Sequence, residues 1–103
     1  MLFRSAQIID ETTIALNNGQ NVRLLGVKIE KRSEAIDYLN RRVLGKNVFI
    51  KNETPISPAL VAAYVYLKNK IFVNAYLIKS GLGSPDLTVS HKFQKKFVKL
   101  QAQ

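Results

Sequence analysis

Cysteine is missing from this chain altogether, which excludes disulfide staples, thiolate zinc sites and cysteine nucleophiles. Histidine occurs once, at His91, with no second imidazole or thiol to share a metal with it. No serine has a histidine and aspartate pairing in view, so covalent hydrolase chemistry has no support. Long apolar runs are also lacking. The longest, Ala59 to Leu67, has nine residues, about half of what a membrane-crossing helix needs. The N-terminal Met1-Leu2-Phe3-Arg4 carries one basic residue and runs straight into a strand-like pattern. No secretory signal and no membrane insertion are therefore expected, and the expected location is intracellular, in the cytoplasm.

Acid is scarce. Seven Asp and Glu stand against sixteen Lys and Arg, a formal net charge of +9. A field of that sign draws the chain toward nucleic acid, acidic lipid headgroups or an acidic protein surface, and does not choose among them. With 47% apolar and 22% charged residues the composition is that of a folded protein. A length of 103 residues suits one domain, 1–103, with one core.

Leu2 to Ile9 alternates loosely, Asp10-Glu11 marks a turn, and Thr12-Thr13-Ile14-Ala15-Leu16 is rich in β-branched residues, the pattern of two strands about a tight bend. Asn17-Asn18-Gly19 is the strongest hairpin signal, because these residues tolerate positive φ. Gln20 to Val27 reads as a third strand. From Lys31 the period changes: Ala35, Ile36, Leu39 and Val43 recur at helical spacing, with Ser33 available as a cap and Gly45 as the stop. Val48 to Lys51 reads as a short strand, and Asn52 to Pro58 as a loop in which two prolines forbid pairing. Leu60 to Leu67 is a strand that turns at Lys68-Asn69-Lys70 into Ile71-Phe72-Val73. Asn74 is placed to cap a short helix ending at Ser80-Gly81, a loop follows over Gly83-Ser84-Pro85-Asp86, and Phe93, Phe97 and Leu100 mark a last amphipathic helix. Five or so strands with a helix between the third and fourth is compatible with a small OB-type Greek-key barrel, among several α+β layouts.

Three stretches narrow the choice. Val22-Arg23-Leu24-Leu25-Gly26-Val27 resembles the "VRLLGI" strand of the staphylococcal-nuclease-like (thermonuclease) family. Glu34 to Leu39 through Leu44-Gly45-Lys46-Asn47-Val48 is similar to that family's first helix and its "L-x-G-K-x-V" exit. Ala63-Tyr64-Val65-Tyr66, then Phe72-Val73-Asn74, Leu77 and Ser80-Gly81-Leu82, resemble its "A-Y-V-Y" hairpin and following helix. The resemblance covers about Ala6 to Leu82. It implies an OB-type barrel with three helices and an ancestral calcium-dependent cleavage of DNA and RNA.

That chemistry needs a divalent cation held by carboxylates, an acid that activates water, and two arginines on the phosphate. By the resemblance, Arg23 matches one of the arginines. The family's "D-T-P-E" falls on Lys28-Ile29-Glu30-Lys31, so lysines stand where a metal-binding Asp and the catalytic Glu would be. The "D-G-D-T" turn reads Asp10-Glu11-Thr12-Thr13, and the second arginine lands near Leu60. Calcium wants six to eight oxygen ligands, and Lys28 and Lys31 would repel it.

The expectation is thus an α+β, mainly β fold, a five-stranded OB-type Greek-key barrel with about three helices, serving as a non-catalytic binding module without cofactor or metal. Its expected partner is nucleic acid, RNA or single strands, held by Arg23, Lys28, Lys31 and Arg32. Arg23 has a competing structural reading, as a barrel residue paired with Glu11 or Glu30. An acidic protein surface is the alternative partner, with the domain as an assembly subunit of a larger complex such as a ribonucleoprotein. A residual nuclease using Glu11 or Glu30 is the third reading. Tyr64 and Tyr66 alternate on one strand and face the same way; they read as core or rim packing, with base stacking as the competing role, and Phe93 and Phe97 read as core anchors. Lys92, Lys95, Lys96 and Lys99 read as the wet face of the last helix, and Lys68 and Lys70 as turn lysines.

Overall fold

The computed structural model describes residues 2–101. Ten elements follow in order: β1 (Leu2–Asp10), β2 (Thr13–Leu16), β3 (Asn21–Leu24), β4 (Val27–Ile29), α1 (Arg32–Arg42), β5 (Asn47–Ser57), β6 (Leu60–Leu67), α2 (Val73–Lys79), β7 (Gly83–Pro85) and α3 (Gln94–Gln101). The α+β, mainly β expectation and its three helices are found among the described residues. Strands β1, β2 and β3 form an antiparallel meander, β3 pairs parallel with β6, β6 antiparallel with β5, and β5 returns to β1. Each of these five strands therefore has two neighbours, and the pairing runs round as a ring. Ile14, Val22, Leu39, Val48, Val65, Leu77 and Phe97 are fully buried in one apolar cluster.

The third strand is shorter than Gln20 to Val27. Gly26 takes φ +79°, a left-handed conformation that breaks the strand, and Val27–Ile29 pairs instead with Gly83–Pro85 as a separate two-stranded sheet. The expected loop at Gly83-Ser84-Pro85 is thus a strand. The expected loop over Asn52 to Pro58 is overturned as well. β5 runs on to Ser57, with Thr54 opposite Ala62 and Pro55 opposite Val61. The ladder shifts register between Lys51 and Thr54, where Asn52 takes φ 57°, and again between Pro55 and Ser57. Proline is tolerated at such irregularities and on an edge, and β1 covers only Asn47–Phe49 of β5.

After β6, the expected return strand over Ile71-Phe72-Val73 shrinks to one bridge between Phe72 and Tyr66, and α2 starts at Val73. Two expected helix caps are corrected. Lys31, not Ser33, is the N-cap of α1, and no side chain caps it. Phe72 is the N-cap of α2, while Asn74 lies inside the helix, fully buried. The Asn74 Oδ1 accepts from the Val65 N–H at 2.9 Å, and its Nδ2 donates to the Leu25 and Ala63 carbonyls at 2.9 and 3.1 Å. Ladder pairing of β3 on β6 stops at Leu24 with Ala63. Asn74 takes over the backbone groups just beyond that point. The turn after α1 follows the expected form: Gly45 takes φ +77° and its N–H donates to the Ser5 carbonyl, while the Ser5 N–H donates to the Lys46 carbonyl.

Candidate nucleic-acid interface

Arg23 lies on β3 opposite Thr13 and Ala62, between the buried Val22 and Leu24, and alternation turns it outward. Lys28 is exposed on β4 opposite Ser84, and Lys31 and Arg32 are exposed at the start of α1. Arg32 Nε lies 2.8 Å from Glu11 Oε2, which ties the head of α1 to the β1–β2 turn. The Leu24 N–H donates to the Thr12 carbonyl on that same turn, so Arg23 and Arg32 flank residues 11–13. The expected pairing of Arg23 with Glu11 or Glu30 does not occur among the described residues.

The acids that a nuclease would need are each engaged. Glu11 holds Arg32, and the Ser84 hydroxyl donates to Glu30 at 2.7 Å. Burial pushes the Asp10 carboxyl up, but donors from Thr12 and Thr13 outweigh it and hold it below the ordinary value of 3.8. The Thr88 hydroxyl does the same for Asp86, helped by the nearby charge of Lys28. No group of three or more His, Asp and Glu suited to a metal ion occurs among the described residues. At this end of the molecule Lys28, Lys31 and Arg32 are therefore interleaved with Glu11, Glu30 and Asp86.

A second cationic region has one such pairing, Arg41 with Asp37. The end of α1 and the β6–α2 turn enclose a groove of about 750 Å³ lined by Tyr38, Arg41, Arg42, Lys46, Lys68 and Tyr76, with Asn47, Asn69, Leu67 and Ile71 beside them. The rings of Tyr38 and Tyr76 stack at 4.7 Å and 17°. A shallower hollow of about 420 Å³ adjoins it through the shared Leu67 and Lys68 and adds Phe49, Lys51, Tyr66 and Lys70. Among the described residues no acid lines either. The reading of the sequence missed this set. Tyr38, Arg41 and Arg42 share a helix face at i, i+3 and i+4, which was available as a signal. Lys46 follows through the turn at Gly45, and Lys68 joins them only through the β5–β6 hairpin.

The aromatic residues divide between core and groove. Tyr64 is 1% exposed, in contact with Phe72, Phe93 and Phe97, which is core packing as expected. Tyr66 points to the same side, stacked on Phe72 with the Lys51 ammonium 5.3 Å from its ring centre. Phe97 is a fully buried anchor of α3, and Lys92 and Lys96 lie over the half-buried Phe93 at 5.0 and 5.6 Å.

His91 belongs to this core. Its Nδ1 shares a 2.6 Å hydrogen bond with the Tyr64 hydroxyl, and its Nε2 is buried without a partner against Gly26. Burial holds its pKa below the ordinary 6.5, against an opposing pull from Asp86. The unfolded chain therefore takes up this proton at higher pH than the folded one. Stability is complete above about pH 6.5 and declines as pH falls below it, by about 1.4 kcal/mol per pH unit over which only the unfolded form is protonated. Urea unfolding between pH 7.5 and 5 should show this decline, and His91→Gln should flatten it. Asp10 and Asp86 lose their contribution only nearer pH 3.8. A wild-type midpoint unchanged from pH 7.5 to 5 contradicts the assignment.

No protein-family model matches this chain, and no curated protein sequence matches it. Among the described residues no helix is long and apolar enough to cross a membrane.

Proposed function

We propose that this protein is a non-catalytic nucleic-acid-binding module, an OB-type barrel resembling the staphylococcal-nuclease-like family but without its metal-binding and catalytic acids. The observation that carries the reading is the state of its charges. Of sixteen Lys and Arg residues, two, Arg32 and Arg41, are in ion pairs among the described residues. Of the other acids, Asp10, Glu30 and Asp86 are engaged by hydroxyl or backbone donors at the β1–β2 turn and around β7. A surface so arranged attracts polyanions, and the carboxylates at the β1–β2 turn and around β7 are not free to gather a cation.

On this reading Arg23, Lys28 and Lys31 contact phosphates directly, and Arg32 does so by exchanging Glu11 for a phosphate oxygen. Arginine suits such an exchange because its planar fork meets carboxylate and phosphate oxygens alike. Each phosphate neutralised on a single strand releases counterions and contributes about −0.7 to the slope of log affinity against log salt. The three direct contacts alone give a slope of roughly −2, so raising salt from about 50 to about 200 mM should weaken binding at least ten- to twenty-fold. Filter binding with single-stranded RNA and DNA, with and without calcium, checks this. Salt-independent retention, or none at low salt, would sink the proposal, and calcium-dependent release of nucleotides would return the chain to the nucleases.

A further inference from the structure

We infer that the groove between the end of α1 and the β6–α2 turn is a binding track for single-stranded nucleic acid, with phosphates on Arg42, Lys46 and Lys68 and bases stacked on Tyr76 and Tyr66. The inference rests on the nucleic-acid reading and adds a second face to it, one that the sequence did not nominate.

Three observations converge on this track. The first is shape: the groove of about 750 Å³ and the hollow of about 420 Å³ share Leu67 and Lys68, so the two lie side by side on one face. The second is charge. Arg41, Arg42, Lys46, Lys51, Lys68 and Lys70 line the path, and among the described residues no acid does. The local ion pair is Arg41 with Asp37 at 2.7 Å, and Lys51 lies over the Tyr66 ring; Arg42, Lys46, Lys68 and Lys70 are uncommitted among the described residues. At the head of α1, by contrast, Glu11, Glu30 and Asp86 offset the cations.

The third observation is the placement of aromatic rings between those cations. Tyr76 is 41% exposed, and Tyr38 backs it at 4.7 Å, holding the ring in place. Tyr66, backed by Phe72 at 4.4 Å, occupies the far end. Proteins that bind single strands combine a positive channel for the backbone with rings on which unpaired bases stack. A duplex keeps its bases stacked on each other and would use only the cations. The scaffold of the groove is also prearranged: Gly45 and Lys46 are hydrogen-bonded to Ser5 of β1 at 2.8 and 2.9 Å, which limits the ordering needed on binding. The Tyr38 hydroxyl, like any tyrosine's, keeps its proton at neutral pH and can donate to a phosphate oxygen.

Fluorescence anisotropy with short single-stranded RNA and DNA of one sequence, the matching duplex and an abasic sugar-phosphate oligomer tests the track. The protein should prefer either single strand to the abasic oligomer. Tyr76→Ala should weaken binding to base-bearing strands about ten-fold, leave the abasic oligomer unaffected and leave the salt slope unchanged, while Tyr76→Phe should bind as the parent does. Lys46→Gln and Lys68→Gln should each reduce the slope by about 0.7. These side chains lie at the surface, and the lysine variants test the track even if Tyr76→Ala unfolds. Groove variants that bind like a tightly binding parent would overturn the track and leave the function on Arg23, Lys28 and Lys31. Equal binding of abasic and base-bearing strands, or preference for duplex, would overturn the stacking role and with it the track. A parent that binds no nucleic acid at about 50 mM salt, where phosphate contacts are strongest, would overturn the wider reading and this one together.

Discussion

Replacing Asn74 with Leu is expected to destabilise the protein by about 3–5 kcal/mol, since each buried backbone group left without a partner costs about 1–3 kcal/mol. The Val65 N–H and the Leu25 carbonyl lose the partners that Asn74 supplies, whereas the Ala63 carbonyl keeps the Leu25 N–H at 3.0 Å. A chain of this size has roughly 5–15 kcal/mol in all, so the variant sits near the edge of folding. Leu is no smaller than Asn, so little of the loss arises from a cavity. Asn74→Asp sharpens the test. Its carboxylate still accepts from Val65 but sets a negative charge against the carbonyls of Leu25 and Ala63, so it should be worst at neutral pH and recover as acid protonates it. Denaturant unfolding of the three proteins at two pH values provides the measurement. A loss below about 1 kcal/mol for Asn74→Leu, the net worth of one ordinary hydrogen bond, would mean that water takes over these groups.

Gly26→Ala should be nearly as damaging, by about 2–5 kcal/mol, from two causes that can be separated. The φ of +79° penalises any side chain, by about 1–2 kcal/mol. A Cβ there would also stand 2.3 Å from His91 Nε2 and 2.6 Å from His91 Cε1, and crowding of this kind adds about 1–3 kcal/mol. Gly45 is the control. Its φ is +77°, but a methyl group added there would meet nothing within 4 Å, so Gly45→Ala should show the conformational part alone. Adding His91→Ala to Gly26→Ala should return the crowding part, giving a coupling of opposite sign to the single losses. Equal losses at Gly26 and Gly45 would show that the imidazole moves aside freely.

The fold was legible where neighbours in sequence decide it. Alternation of Ile14, Leu16, Val22 and Leu24, and the helical spacing of Ala35, Leu39 and Val43, are local patterns, and the structure buries all of them. It was least legible at Pro55, Asn74 and Gly83. Proline excludes pairing only where its missing N–H would face a partner, and the register shifts in β5 remove that conflict. Asn74 is a good cap by type, but the unpaired end of the β3–β6 ladder claims it, and that demand comes from residues 9 and 49 positions away. Gly83 pairs with Ile29 only because the break at Gly26 frees β4 to leave the meander.

The same division holds for the surface. The excess of positive charge, the absence of thiols and the lysines at 28 and 31 are facts of composition and order, and the sequence alone determined them. Which cations face anions and which face acids was decided by tertiary structure. Arg32 meets Glu11 because α1 returns to the β1–β2 turn, and Arg42, Lys46 and Lys68 meet because the hairpin of β5 and β6 brings residues 67–76 against the end of α1. Charge adds along a chain whatever its shape, but a groove exists only where segments distant in sequence are packed side by side.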